Sequence, residues 1–90
     1  MNNMSAPEEL QPDVRLDITG DVCPMTFVKT KLMIERMAAG QVAAVRLKGH
    51  EPLSNVPRSL KEYGHEILSL TPEDPDGPSD GVHRLLFRKS

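Results

Sequence analysis

The chain has no tryptophan, two phenylalanines, one tyrosine and a single cysteine among its 90 residues. With so few aromatic rings, the core has to come from Leu, Val, Ile and Met, which fits one small domain with a thin core and excludes two. One cysteine excludes an internal disulfide framework and any all-cysteine zinc or iron–sulfur cage within the chain. Its thiol is therefore free, either as a small buried apolar group or as a reactive one. His50, His65 and His83 are scattered and make no metal-ligand spacing with Cys23, so no metal and no cofactor is expected. No window approaches the roughly 18 apolar residues of a membrane span, and the polar start MNNMSAPEELQPD lacks the apolar segment of a secretory signal. The expected setting is the cytoplasm, away from membranes.

What charge there is falls unevenly. Seven of the 13 acids (Glu8, Glu9, Asp13, Glu73, Asp74, Asp76, Asp80) lie in the first 13 residues or in the stretch PEDPDGPSDG, which together hold none of the 11 Lys and Arg. The remaining body carries six acids against eleven bases, a net +5. Such a body suits anionic partners, although no run of adjacent bases marks a dedicated site.

Residues 1–13 are polar and interrupted by proline, and read as a flexible tail before a single domain spanning 14–90. Val14, Leu16 and Ile18 alternate with Arg15, Asp17 and Thr19, the period of a half-buried strand that Gly20 ends. Pro24 suits the first turn of a helix, and Met25 to Ala39 carries no breaker before Gly40. That helix has two apolar stripes, one of Phe27, Thr30, Ile34, Met37 and Ala38, the other of Val28, Leu32 and Ala39. Two stripes predict two packing partners, the second being the neighbouring helix.

Ala43, Val45 and Leu47 then alternate along a second strand that ends at Gly49. A second helix follows, with Leu53, Val56, Leu60 and Tyr63 on one face, Asn55 as N-cap, Pro57 in the first turn and Gly64 as the stop. Ile67–Thr71 and Val82–Lys89 read as a hairpin joined by the acidic loop 72–81. The expected fold is an α/β (α+β) two-layer sandwich of order β-α-β-α-β-β, a four-stranded mixed sheet with both helices on one face.

Cys23 stands directly before Pro24, where the first strand turns into the first helix. Backbone N–H groups at a helix start favour a thiolate over a thiol, and Lys29 or Lys31 would add positive potential. Asp21 works against them, since a nearby carboxylate raises a thiol pKa. With no second cysteine a CxxC couple is excluded, so the thiol must form mixed disulfides, persulfides or thioesters with partners. His50, after the second strand, would reach the same sheet edge as a candidate base. Arg46, Lys48, Arg84, Arg88 and Lys89 allow a basic sheet face, but the scarcity of stacking residues weakens a nucleic-acid reading.

The segments LDITGDVCPMTFVKTKL and LKGHEPLSNVPRSLKEYGHEI resemble the TusA/SirA-type sulfur-carrier (sulfurtransferase) family from Leu16 to the C-terminus. The landmarks are Leu16-Asp17, Gly20, Cys23-Pro24, Lys31, Asn55-Val56-Pro57 and Gly64-His65. The resemblance implies a β-α-β-α-β-β sandwich in which Cys23 holds sulfane sulfur as a persulfide. The sulfur would come from a cysteine desulfurase or another donor and pass to an acceptor protein, serving tRNA thiolation, molybdenum-cofactor assembly or sulfur oxidation. Two positions depart from the family pattern: Thr26 stands where a second proline is frequent, and Asp21 where leucine is common. The contrasting expectation is a regulatory or nucleic-acid-binding module on the same fold, with Cys23 structural. Either way the chain is expected to act as a monomer.

Overall fold

The computed structural model describes residues 12–21 and 25–90. Its elements are β1 (Val14–Asp17), α1 (Met25–Glu35), β2 (Val42–Leu47), α2 (His50–Glu62), β3 (Glu66–Pro72) and β4 (His83–Arg88), in the expected order. The sheet runs β1-β2-β4-β3, with β1 parallel to β2 and the other two pairings antiparallel. Of the segment expected as a tail, residues 1–11 lie outside the described residues, while Asp13 is tied to β2. Its N–H donates to the Val42 carbonyl at 2.7 Å, and its carboxylate accepts from the Val42 N–H at 2.9 Å.

Residues opposite one another across the strands share a face. Ala43 opposite Phe87 and Val45 opposite Leu85 face the helices, where Leu47, Ile18, Val56 and Leu60 complete a fully buried core. Met33 and Ile34 of α1 pack on the same cluster, so both helices cover one face. Across the sheet, Arg15, Asp17, Arg46 and Arg84 stand on the open side, and Val42 and Ala44 on that same face are buried.

The helix boundaries differ from expectation. α1 stops at Glu35 rather than Ala39, because its last turn tightens: Arg36 donates to the Met33 carbonyl and Met37 to that of Ile34. Lys89 Nζ then takes the carbonyls of Ile34 and Met37 at 2.8 and 2.7 Å, placing a cation at the negative helix end. α2 opens at His50, five residues before the expected cap, with Gly49 as the N-cap residue at φ 104°. Asn55 is inside the helix, where it accepts from Arg58, and Pro57 is interior too. Pro52 occupies the first turn instead, and burial of Val56 and Leu60 outweighs the one hydrogen bond that Pro57 deletes. The helix ends as expected at Gly64 (φ 91°), with His65 donating to the Leu60 carbonyl and Gly64 to that of Lys61.

The second stripe of α1 does not pack on its neighbour. Val28 and Leu32 are 39% and 54% exposed, and Ala39 is exposed as well. α2 meets α1 through Phe27, whose ring stacks on Tyr63 at 5.9 Å between centroids. Position 28 lies 100° further round the helix, where a two-layer architecture supplies no third layer.

Candidate functional site at the end of the first strand

β1 ends because Asp17 captures the chain that follows it. One carboxylate oxygen accepts from the Thr19 N–H at 2.9 Å and from its hydroxyl at 2.7 Å, which closes an Asx-type turn. The other oxygen takes the Arg46 guanidinium at 2.7 Å. The Thr19 bonds, with Arg46 behind them, lower the Asp17 pKa to about 2. Asp21 then closes a further turn by donating its N–H to the Ile18 carbonyl at 3.1 Å. Residues 22–24, including Cys23 and Pro24, lie outside the described residues, so Asp21 and Met25 are the points that bracket them.

Two of the residues singled out in the sequence come together here. Lys29 Nζ lies 2.9 and 3.0 Å from the two Asp21 carboxylate oxygens, joining the first turns of α1 to the end of the β1 loop. The adverse carboxylate and the supporting lysine are thus one ion pair, and each offsets the other's field at the intervening segment. Thr26 is 2% exposed and faces the core, where its carbonyl accepts the hydroxyl of Thr30 at 2.8 Å. Lys31 points elsewhere, into a groove of about 210 Å³ shared with Phe27, Ile34, Glu35, Tyr63 and His65. Two residues along a helix turn the side chain by about 200°, so Lys29 and Lys31 cannot serve one spot.

A larger cleft, of about 730 Å³, opens beside Asp21. Thr19, Gly20 and Asp21 form one wall, Gly49, His50 and Glu51 at the start of α2 a second, and Pro78, Asp80 and Gly81 of the acidic loop a third. His50 therefore lies at the sheet edge where β1 ends, while Cys23 itself is outside the described residues. No carboxylate orients its ring among the described residues, and no group of three or more His, Cys, Asp or Glu there could hold a metal ion. Among the described residues the cleft therefore presents His50 without the oriented partner that a resident general base uses.

Arg46 is the site residue that sequence reasoning used only as a surface base. Besides Asp17 it holds Glu73 through two bonds, Nε to Oε2 at 2.7 Å and Nη2 to Oε1 at 2.9 Å, so it couples the end of β1 to the root of the acidic loop. This keeps the Glu73 pKa below the usual carboxylate range and the guanidinium charged. The signal was available in the register, which sets Asp17 opposite Arg46, but the partner from the loop was not. The proposed basic sheet face is largely neutralised: Arg46 meets Asp17 and Glu73, Arg88 meets Glu66 at 3.0 Å, and Lys89 turns to the end of α1.

Comparison with known proteins places the chain in a family and supports the fold. The family model described as "Sulfurtransferase TusA" matches residues 14–89. A protein of Archaeoglobus fulgidus named "Putative sulfur carrier protein" is 41% identical over 71 residues, covering 78% of this chain and 80% of that one. A protein of the same name from Thermotoga maritima is 32% identical, over 72% of this chain and 78% of its own. The crystal structure of a SirA-like protein from Desulfitobacterium hafniense superposes with a TM-score of 0.60 at 20% identity, over 83% of this chain and 95% of that one, and shares the fold. No helix among the described residues is long and apolar enough to cross a membrane. With a match running from the first residue of β1 to the last but one of the chain, the protein belongs to the TusA sulfurtransferase family.

Proposed function

We propose that this chain is a sulfur carrier that binds sulfane sulfur as a persulfide on Cys23 and relays it between a donor and an acceptor protein. The family match over residues 14–89 carries the reading, because Cys23 is the only thiol within it. The names of the related proteins point the same way. In the loading step the Cys23 thiolate attacks the terminal sulfur of a donor persulfide. The donor S–S bond breaks, its thiolate leaves and takes up a proton, and a new S–S bond forms on Cys23. Unloading is the same reaction with the roles exchanged.

Residues 14–90 would act as the carrying domain and 1–13 as a tail anchored to β2 at Asp13, with the protein a monomer in the cytoplasm. Pro24 would shape the chain where Cys23 enters α1, and the Lys29–Asp21 pair would fix that segment against the end of β1. Thr26 contributes by packing beneath the helix start rather than by contact with sulfur. Lys31, on another face, is left to electrostatic support at longer range. A cysteine desulfurase or another sulfane-sulfur donor would load the protein, and the acceptor would feed tRNA thiolation, molybdenum-cofactor assembly or sulfur oxidation.

The test is intact-mass spectrometry after incubation with a cysteine desulfurase and cysteine, and separately with polysulfide or thiosulfate. Wild type is expected to gain sulfur and Cys23→Ser to gain none while keeping its fold by circular dichroism. Equal loading of Cys23→Ser, or an unmodified and unreactive thiol with every donor, would overturn the proposal.

A further inference from the structure

The sheet has one covered face and one open one. Both helices lie over the first, and the second holds a cavity of about 430 Å³ lined by Arg15, Asp17, Ala44, Arg46, Glu73 and Arg84. The strand register shows why it lies there. Arg15 is opposite Ala44 and Ala44 opposite Leu86, while in the next row Asp17 is opposite Arg46 and Arg46 opposite Arg84. Ala44 is the smallest side chain of these two rows, so the face dips between the arginines. At 6% exposed with no helix above it, Ala44 is the bottom of that dip.

The charges around the cavity are arranged at a cost. Arg46 and Arg84 are directly opposite on neighbouring strands, where Cβ atoms stand about 4.5–5.5 Å apart and like charges destabilise a sheet. Glu73 relieves part of this. It bonds Arg46 at 2.7 and 2.9 Å and also feels Arg84, and the two guanidinium groups, Arg46 first, hold its carboxyl below the usual range. Asp17 takes the other side of Arg46 at 2.7 Å. Both carboxylates are thus committed to the middle arginine, whereas Arg15 and Arg84 form no ion pair among the described residues. These two outer arginines stand diagonally across Ala44, two strands and two residues apart, which sets their Cα atoms roughly 12 Å from each other.

We propose that this cavity binds a small organic dianion, with one anionic group on Arg15, the other on Arg84, and the apolar stretch between them over Ala44. A guanidinium presents its donors in a plane that matches the oxygens of a carboxylate or a phosphate. Two anionic ends suit the spacing better than one, because they satisfy both arginines without drawing like charges together. Arg46 neutralises much of the charge on Asp17 and Glu73 that would otherwise repel such a ligand. The volume falls within the range of small-molecule sites, roughly 300–1,000 Å³. The inference is independent of the sulfur-carrier reading, since it uses no residue of the segment that holds Cys23.

The test is a titration of the full chain followed by amide NMR. Four probes are compared: glutarate and 3-phosphonopropionate, each with two anionic ends, butyrate with one, and inorganic phosphate with no apolar part. The two-ended probes are expected to give saturable shifts centred on the amides of Arg15, Ala44, Arg46 and Arg84, with affinities roughly fivefold or more above those of butyrate and phosphate. Within that result, the tighter of the two identifies whether a second carboxylate or a phosphate-like group is preferred. Absence of a saturable shift with every probe at about 20 mM overturns the proposal. Equal affinity for all four overturns it as well, as an adventitious ion only.

Arg15→Gln and Arg84→Gln, both at exposed side chains, are each expected to weaken glutarate binding at least about fivefold. Ala44→Leu fills the dip without altering charge, and with no layer above this face the longer side chain has room. It is expected to weaken glutarate at least as much while the amide spectrum stays that of a folded protein. Binding left unchanged by both arginine substitutions, or by a folded Ala44→Leu, overturns the proposal. The comparison of probes on wild type tests it without any substitution.

Discussion

α2 turns Pro52, Val56 and Leu60 into the core and leaves Glu51, Ser54, Arg58 and Lys61 in solvent, whereas α1 buries Thr26 and Thr30 and turns Met25, Val28 and Leu32 outward. The contrast shows that apolar character alone does not decide which face of a helix is buried. Threonine is the size of valine, and the Thr30 hydroxyl is satisfied by the Thr26 carbonyl one turn back, so these side chains are buried without an unmet donor. The stability of α2 is invested in its stripe. The exposed stripe of α1 contributes little to folding.

The comparison breaks most sharply at Leu60, which is fully buried. Leu60→Ala should cost about 2–5 kcal/mol by urea denaturation, through lost transfer energy and a residual cavity. Such a loss would unfold much of a domain this small. A cost below 1 kcal/mol would mean that burial of the Val56 and Leu60 stripe does not hold α2 to the sheet.

A smaller effect is expected where the helices meet. His65 lies in the groove with Phe27 and Tyr63, and its Nδ1 accepts from the Ser90 N–H at 3.2 Å, which requires the ring to be unprotonated there. Burial first, and then Lys89, lower its pKa below the ordinary value of 6.5. The unfolded chain therefore binds the proton more readily, and stability from this group is lost as pH falls below 6.5. The melting temperature should drop modestly between pH 7.5 and 5.5, and less in His65→Asn. An equal drop in both proteins would place the titration elsewhere.

The smallest effect belongs to the outward face of α1. Leu32→Gln should change stability by no more than about 0.5 kcal/mol, because the side chain is already more than half exposed. A loss comparable to that of Leu60→Ala would show that this stripe is covered in the folded protein after all.

Much of this was legible in the residues. Alternation at Val14–Ile18 and Ala43–Leu47 marked two strands, and the spacing of Val56 and Leu60 marked the face of α2. Gly64 was rightly read as a stop, since its φ of 91° is one that side chains rarely adopt. The start of α2 was misplaced because Asn55-Val56-Pro57 is itself a good cap-and-first-turn pattern. Gly49 and Pro52 supplied an earlier start, and local signals could not rank the two. Asp21 and Lys29 were both singled out, but their pairing across eight residues depended on the angle at which α1 leaves the sheet.

The order of strands and helices, the lone thiol before Pro24 and the segregation of acids into two stretches were determined by the sequence alone. Periodicity, turn chemistry and composition are local properties. Only the tertiary structure decided that β4 inserts between β2 and β3, and the acidic loop's place at the candidate site follows from that pairing. The pairing brings loop 73–82 to the edge where β1 ends, sets Glu73 against Arg46 beside Asp17, and builds one wall of the cleft beside Asp21. Strand pairing is a long-range choice, fixed by which faces can be buried together, and no stretch of neighbouring residues encodes it by itself.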